Sequence, residues 1–137
     1  MGLILDSSVL VATERKERTV YAVLAEIGGS QKDIEVGISA ITVAELAHGA
    51  ARAETPQRKE KRLRFIREIA SAVPIYPITA AIAFRAGLID GETQAKGVRV
   101  ALSDLLIGVT ALELGFGIGT GNLRDFGRIP GLSVIQL

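Results

Sequence analysis

Three acids stand where hydration alone would not keep a carboxylate comfortable. Asp6 follows the apolar run Leu3-Ile4-Leu5, so it falls at the carboxyl end of a buried strand. An ionised group there is costly unless a cation is near. Glu45 lies among Ala44, Leu46 and Ala47, small or apolar neighbours that turn its carboxylate toward a pocket. Asp104 opens a helix continued by Leu105, Leu106 and Ile107, which sets it beside the core. Each acid also has an ordinary explanation. Asp6 can cap the helix that follows. Thr42-Val43-Ala44-Glu45 has the form of a capping box, and Asp104, behind a Ser103 cap, suits the positive end of a helix dipole. Taken together they imply more, because acids brought to one place repel and a divalent cation relieves the repulsion. Oxygen-only donors, with no cysteine and one histidine in the chain, favour Mg2+ or Mn2+ over zinc. Such an ion can generate a hydroxide-like nucleophile and offset the charge that builds on a phosphate during hydrolysis. The single histidine, His48, lies one turn beyond Glu45 and reads as a partly exposed structural side chain.

The acids can meet only if the elements that carry them end at one edge of a sheet. Leu3 to Leu5 is read as a buried strand, and Ser7 or Ser8 then caps a helix through Val9, Leu10 and Val11. Residues 19–27 form a second helix with Val20, Val23, Leu24 and Ile27 on one face, stopped by Gly28-Gly29-Ser30. Ile34, Val36 and Ile38 alternate with Glu35 and Gly37 as a strand. Helices follow over 41–52 and 56–72, an extended segment over 73–78, and a helix from 79 to 88 or on to 94. A helix over 103–114 is ended by Gly115, and residues 116–119 make a strand. Residues 121–126 are read as a loop and 132–135 as a closing strand. Strands alternate with helices, and no tight hairpin joins two strands. That pattern predicts an α/β fold with a mostly parallel central sheet and helices on both faces. In such sheets chemistry gathers beyond the carboxyl ends of the strands.

Composition sets the outer limits. A length of 137 residues suits one domain, and 48% hydrophobic residues fill a core and exclude a disordered chain. A net charge of +1 does not by itself announce a nucleic-acid binder, so any basic footprint must be local. The absence of cysteine excludes disulfides and thiolate chemistry, and agrees with a cytoplasmic location. The opening residues lack the basic and apolar regions of a signal peptide. The uncharged stretch over 69–84 carries Pro74 and Pro77 and is too short to span a bilayer, so no membrane segment is expected.

Four segments resemble the PIN-domain ribonucleases: Leu3-Ile4-Leu5-Asp6-Ser7-Ser8, Ser39-Ala40-Ile41-Thr42-Val43-Ala44-Glu45-Leu46, Ser103-Asp104-Leu105-Leu106-Ile107, and Thr120-Gly121-Asn122-Leu123-Arg124-Asp125-Phe126. Within that family they look most like the VapC-type toxins of toxin–antitoxin pairs. The resemblance runs through nearly the whole chain in order and spacing. It implies one PIN-like domain over 1–137, with about five strands, that hydrolyses RNA with metal-activated water. It further implies that Asp6, Glu45 and Asp104 bind the metal or activate water, with the hydroxyls of Ser8 and Thr120 in support. A cognate antitoxin seated in the active-site groove and a homodimer are implied as well. The departure is Asn122, where many members of the family carry a fourth acid. Its carbonyl oxygen can still orient water or coordinate, and Asp125, three residues on, can supply the missing charge or serve as a cap or ion-pair partner in its loop.

The run Arg58, Lys59, Lys61, Arg62, Arg64 and Arg67 is a local basic footprint. Arg58, Lys59 and Arg62 are its candidates for RNA phosphates; the plainer reading is a solvated helix face with Glu60 and Glu68 paired in. Few aromatics stand ready to stack bases. The glycines at 115, 117, 119 and 121 do not make a nucleotide-binding fingerprint. Asn122 also favours an alternative, a non-catalytic PIN-like module that binds RNA or protein. A receiver domain or aspartyl-nucleophile phosphatase is disfavoured, because Asp6 lacks an adjacent acid and the position two residues on is Ser8.

Overall fold

The computed structural model describes residues 1–30 and 33–137. In chain order the elements are β1 (Gly2–Leu5), α1 (Ser7–Arg15), α2 (Val20–Ser30), β2 (Glu35–Ser39), α3 (Ala40–Ala51), α4 (Pro56–Ala72), β3 (Ile75–Tyr76), α5 (Ala80–Ala95), α6 (Leu102–Leu114), β4 (Gly117–Thr120), α7 (Leu123–Phe126) and β5 (Val134–Gln136). The strands form one sheet in the order β3-β2-β1-β4-β5, and every pairing described is parallel. The predicted α/β architecture is therefore present, with a sheet that is parallel throughout the described residues.

Burial explains why β1 reads as an unbroken apolar run. It is the middle strand, covered on both faces, and all four of its residues are buried. Alternation along it divides the core. Leu3 and Leu5 point to one face and pack with Val9, Leu10, Val20, Val23, Ile27 and Ile69 under α1, α2 and α4. Ile4 points to the other and packs with Ile82, Ala86, Leu105, Ile107 and Phe126 under α5, α6 and α7. The neighbouring strand β4 carries glycine where space runs out: a Cβ at Gly119 would lie 2.6 Å from a Leu137 methyl and 3.0 Å from methyls of Leu3 and Leu5. Gly115 ends α6 with φ of 69°, the left-handed conformation that closes a helix cheaply only with glycine.

The chain runs from β1 outward to β2 and β3, then returns to the other side of β1 for β4 and β5. The order therefore reverses between β1 and β4, and a crevice opens beyond their carboxyl ends, the place where ligands bind in open parallel sheets.

Local details depart from the sequence reading in six places. The cap position of α1 is Asp6, not Ser7 or Ser8, and its side chain makes no capping bond. α2 runs through Gly28 and Gly29 to Ser30, three residues past the predicted end, and neither glycine takes a positive φ. Thr42 and Glu45 do not form a capping box, because α3 starts earlier, at a Ser39 whose Oγ accepts from Ile41 N at 3.1 Å. Ser103 does not cap α6: the helix begins at Leu102 behind Ala101, with no side-chain cap. Residues 123–126 are a short helix and not loop, started by the Asn122 side chain and anchored by buried Phe126. In α4, Glu60 pairs with Arg67 at 3.6 Å, but Glu68 turns inward and accepts from Val20 N at 2.9 Å.

Candidate active site

Asp6 is fixed by a hydrogen-bond lattice that follows from the sheet register. Leu5 pairs with Gly119, so Asp6 stands beside Thr120 at the ends of adjacent strands, and Asp6 N donates to Gly119 O at 3.1 Å. Ser8 Oγ donates to Asp6 Oδ1 at 2.6 Å, and Thr120 Oγ1 donates to Asp6 Oδ2 at 2.9 Å. Each hydroxyl in turn accepts a backbone N–H from the turn after β4: Gly121 N to Ser8 Oγ at 3.1 Å, and Asn122 N to Thr120 Oγ1 at 2.8 Å. Because each hydroxyl oxygen is already occupied by an N–H, its own proton is directed at the carboxylate. Asp6 is buried and Thr120 fully so; the network holds an acid that burial would otherwise penalise.

Asp104 lies in the first turn of α6, at the mouth of the same crevice. Burial, and then the negative charges of Glu45, Asp125 and Asp6, push its carboxyl up to about 6. Glu45, in the interior of α3, is also raised, chiefly by burial; the Ser7 hydroxyl opposes the rise and the charge of Asp6 adds to it. Glu45 Oε1 is buried with no hydrogen-bond partner among the described residues. Asp125 belongs to the group through α7. Asn122 Nδ2 donates to Asp125 Oδ2 at 2.7 Å, and Asp125 N points to Asn122 Oδ1 at 3.4 Å.

Asp6, Asp104 and Asn122 line one cleft of about 460 Å³. Glu45 lines an adjoining cleft of about 330 Å³, and Ser7, Val11 and Arg15 border both. Asp6, Glu45 and Asp125 thus each lie near enough to Asp104 for their charge to act on it, although Glu45 lines the adjoining cleft and Asp125 borders neither; Ser8 lines the Asp6–Asp104 cleft as well. Among the described residues, no three His, Asp or Glu side chains are already close enough to enclose an ion as oriented. The donor chemistry nevertheless fits a hard divalent cation: oxygen-only groups, mutually repelling carboxylates, and a buried Glu45 oxygen with no partner.

Of the basic candidates, Arg62 borders the Glu45 cleft, with Nη1 on Gly49 O at 2.7 Å. Arg58 pairs with Glu54 at 3.0 Å and borders a neighbouring depression with Arg62. Lys59 is exposed and borders none of these clefts. His48 is exposed on the last turn of α3 and borders none of them either. Sequence reasoning passed over Ser7 and Arg15. Their signal was available: Ser7, Val11 and Arg15 recur every fourth residue, so they share the face of α1 that begins beside Asp6.

Comparison with known proteins gives a consistent result. The family model described as PIN domain matches residues 3–132. A curated protein of Rickettsia bellii, Ribonuclease VapC, is 30% identical over 137 residues, spanning all of this chain and 97% of the relative. A tRNA(fMet)-specific endonuclease VapC of Salmonella typhimurium is 33% identical over 97 residues, 71% of each chain. Among solved structures, DNA-bound VapBC from Salmonella typhimurium superposes with a TM-score of 0.83 at 26% identity, covering 99% of this chain and 98% of that one. No helix among the described residues is long and apolar enough to cross a membrane.

Proposed function

The chain belongs to the PIN-domain family, and from that footing we propose that it is a metal-dependent endoribonuclease, the toxin of a type II toxin–antitoxin pair. The relatives are named as ribonucleases, one of them for a transfer RNA, and the solved neighbour is a VapBC complex. The reading therefore carries an RNA substrate and a cognate antitoxin as partner, and a homodimer as the assembly. The observation that carries it is that Asp6, Glu45 and Asp125 all act by their charge on Asp104, across two adjoining clefts, with a buried Glu45 oxygen left unpartnered.

Asp6, Glu45, Asp104 and Asp125 would hold Mg2+ or Mn2+. When bound, such an ion lowers the pKa of a water and stabilises charge on the phosphate under attack. The chain's own groups do the positioning. Ser8 and Thr120 fix both oxygens of Asp6, so its direction is set before substrate arrives. Asn122 spends its amide on Asp125, so it acts by orienting that carboxylate and starting α7, not by presenting a free oxygen to water.

The test is incubation of purified protein with transfer RNA in Mg2+ or Mn2+, with and without excess chelator, beside Asp6→Ala and Asp104→Ala. The expected result is cleavage that both chelation and either substitution abolish. Equal cleavage in all samples contradicts the reading. One observation favours the non-catalytic alternative: the fourth position is a neutral Asn122 already committed to a cap. Calorimetry separates the two, since a binding module would take up Mn2+ weakly or not at all.

A further inference from the structure

We propose that Arg15 holds a phosphate of the substrate strand, leading the RNA backbone out of the carboxylate crevice and into the seam between α1 and α4. This rests on the ribonuclease reading and adds the residue that positions the strand. An acid-lined crevice repels a polyanion, so a strand that enters it needs cations immediately alongside. The sequence offered the α4 run for this purpose, yet Arg58 is paired with Glu54, Lys61 with Glu17, and Arg62 is bonded to a carbonyl. Arg18 on the same side is paired with Glu26. Arg15 has no ion pair or hydrogen bond through its side chain among the described residues.

Its place is the stronger argument. The face of α1 that starts with Ser7 ends with Arg15, roughly 12 Å farther along the helix axis. Arg15 borders the Asp6–Asp104 cleft, the Glu45 cleft, and a third depression of about 300 Å³ that it shares with Arg58, Lys61 and Arg62. It is thus the hinge between the acids and the basic seam, with Glu14 as the acid facing that seam. A cation in the last turn also suits the helix dipole, but that role asks nothing about where the guanidinium points. The planar fork of Arg matches two phosphate oxygens at once, which a lysine cannot do.

The experiment measures binding apart from cleavage. A fluorescein-labelled single-stranded 12-nucleotide RNA of mixed sequence is titrated by anisotropy against Asp104→Asn protein, alone and combined with Arg15→Ala, Arg15→Lys or Arg67→Ala, at several salt concentrations. The expected result is a roughly tenfold weaker Kd for Arg15→Ala, with the salt slope reduced by about 0.7, one cation's share on a single strand. Arg15→Lys should keep the slope and recover part of the affinity, and Arg67→Ala should match the parent. Circular dichroism and thermal melting confirm that each variant is folded. Unchanged Kd and slope in a folded Arg15→Ala protein overturn the assignment of Arg15, leaving the ribonuclease reading intact. Failure of the parent to bind any RNA overturns the ribonuclease reading itself, and an acidic peptide bound more tightly than the RNA assigns Arg15 to a protein partner instead.

Discussion

Replacing Thr120 by valine removes one hydroxyl and keeps the shape, which makes it a clean probe of the lattice under Asp6. Two bonds are lost. Thr120 Oγ1 no longer donates to Asp6 Oδ2, and Asn122 N no longer has its acceptor at 2.8 Å. Hydrogen bonds to charged groups contribute about 1.5–3 kcal/mol, and a buried N–H left unpaired costs about 1–3 kcal/mol. Asn122 N is only part-buried, so water takes up part of its loss, and the expected destabilisation is about 1.5–3 kcal/mol, set mainly by the buried bond to Asp6. Thr120→Ser keeps both bonds and loses one buried methyl, about 1 kcal/mol. Urea unfolding followed by far-ultraviolet circular dichroism, in chelator at neutral pH, measures both variants against the parent. A Thr120→Val protein within about 0.5 kcal/mol of the parent would refute the reasoning, since the lattice would then carry no net weight. Relaxation of Asp6 should also show in function, as a fall in kcat larger than that of Thr120→Ser.

Further outcomes follow from the same geometry. Asp104 in the folded chain, at about 6, keeps a proton that an ordinary carboxyl near 3.8 has released, so its contribution to stability falls as pH rises between those values. Asp104→Asn should accordingly stabilise the metal-free protein above about pH 6 and make no difference below about pH 4, by thermal melting across that range. A constant difference at all pH values would show that charge crowding is not the cause. Asn122→Ala should cost about 1 kcal/mol through loss of the α7 cap. It should also weaken Mn2+ binding by calorimetry, because Asp125 loses the donor that aims it; unchanged Mn2+ affinity would detach Asn122 from the acidic group.

Much of this molecule was legible in the sequence because its strongest signals are physical necessities. A parallel middle strand covered on both faces must be apolar throughout, and Leu3-Ile4-Leu5 is; an acid directly after it is therefore conspicuous. The resemblance to the PIN-domain ribonucleases is what named Thr120 as a support for Asp6, and the pairing of β1 with β4 supplies the reason, since it sets these residues, far apart in the chain, at the ends of adjacent strands. Boundaries were harder. The helix cap at Ser39 was hidden because Thr42 and Glu45 imitate a capping box one turn downstream, and the true start is set by the end of β2. Gly28 and Gly29 carry a stop signal, yet both lie within α2, whose last turn holds them. A four-residue helix such as α7 is too short for any periodicity to show. Arg15 escaped notice because composition draws the eye to the six basic residues of α4, whereas what matters is which unpaired cation borders both the crevice and the α4 seam; Lys16 borders the crevice but not the seam. That is a property of packing between helices, and no single helix displays it.

The most direct measurement is anomalous diffraction from crystals of the protein soaked in Mn2+. A peak bonded to carboxylate oxygens of Asp6 and Asp104, within reach of Glu45 or Asp125, is the expected result. A fully active enzyme whose crystals show no peak in the crevice, or a peak only at some distant surface, would contradict the account.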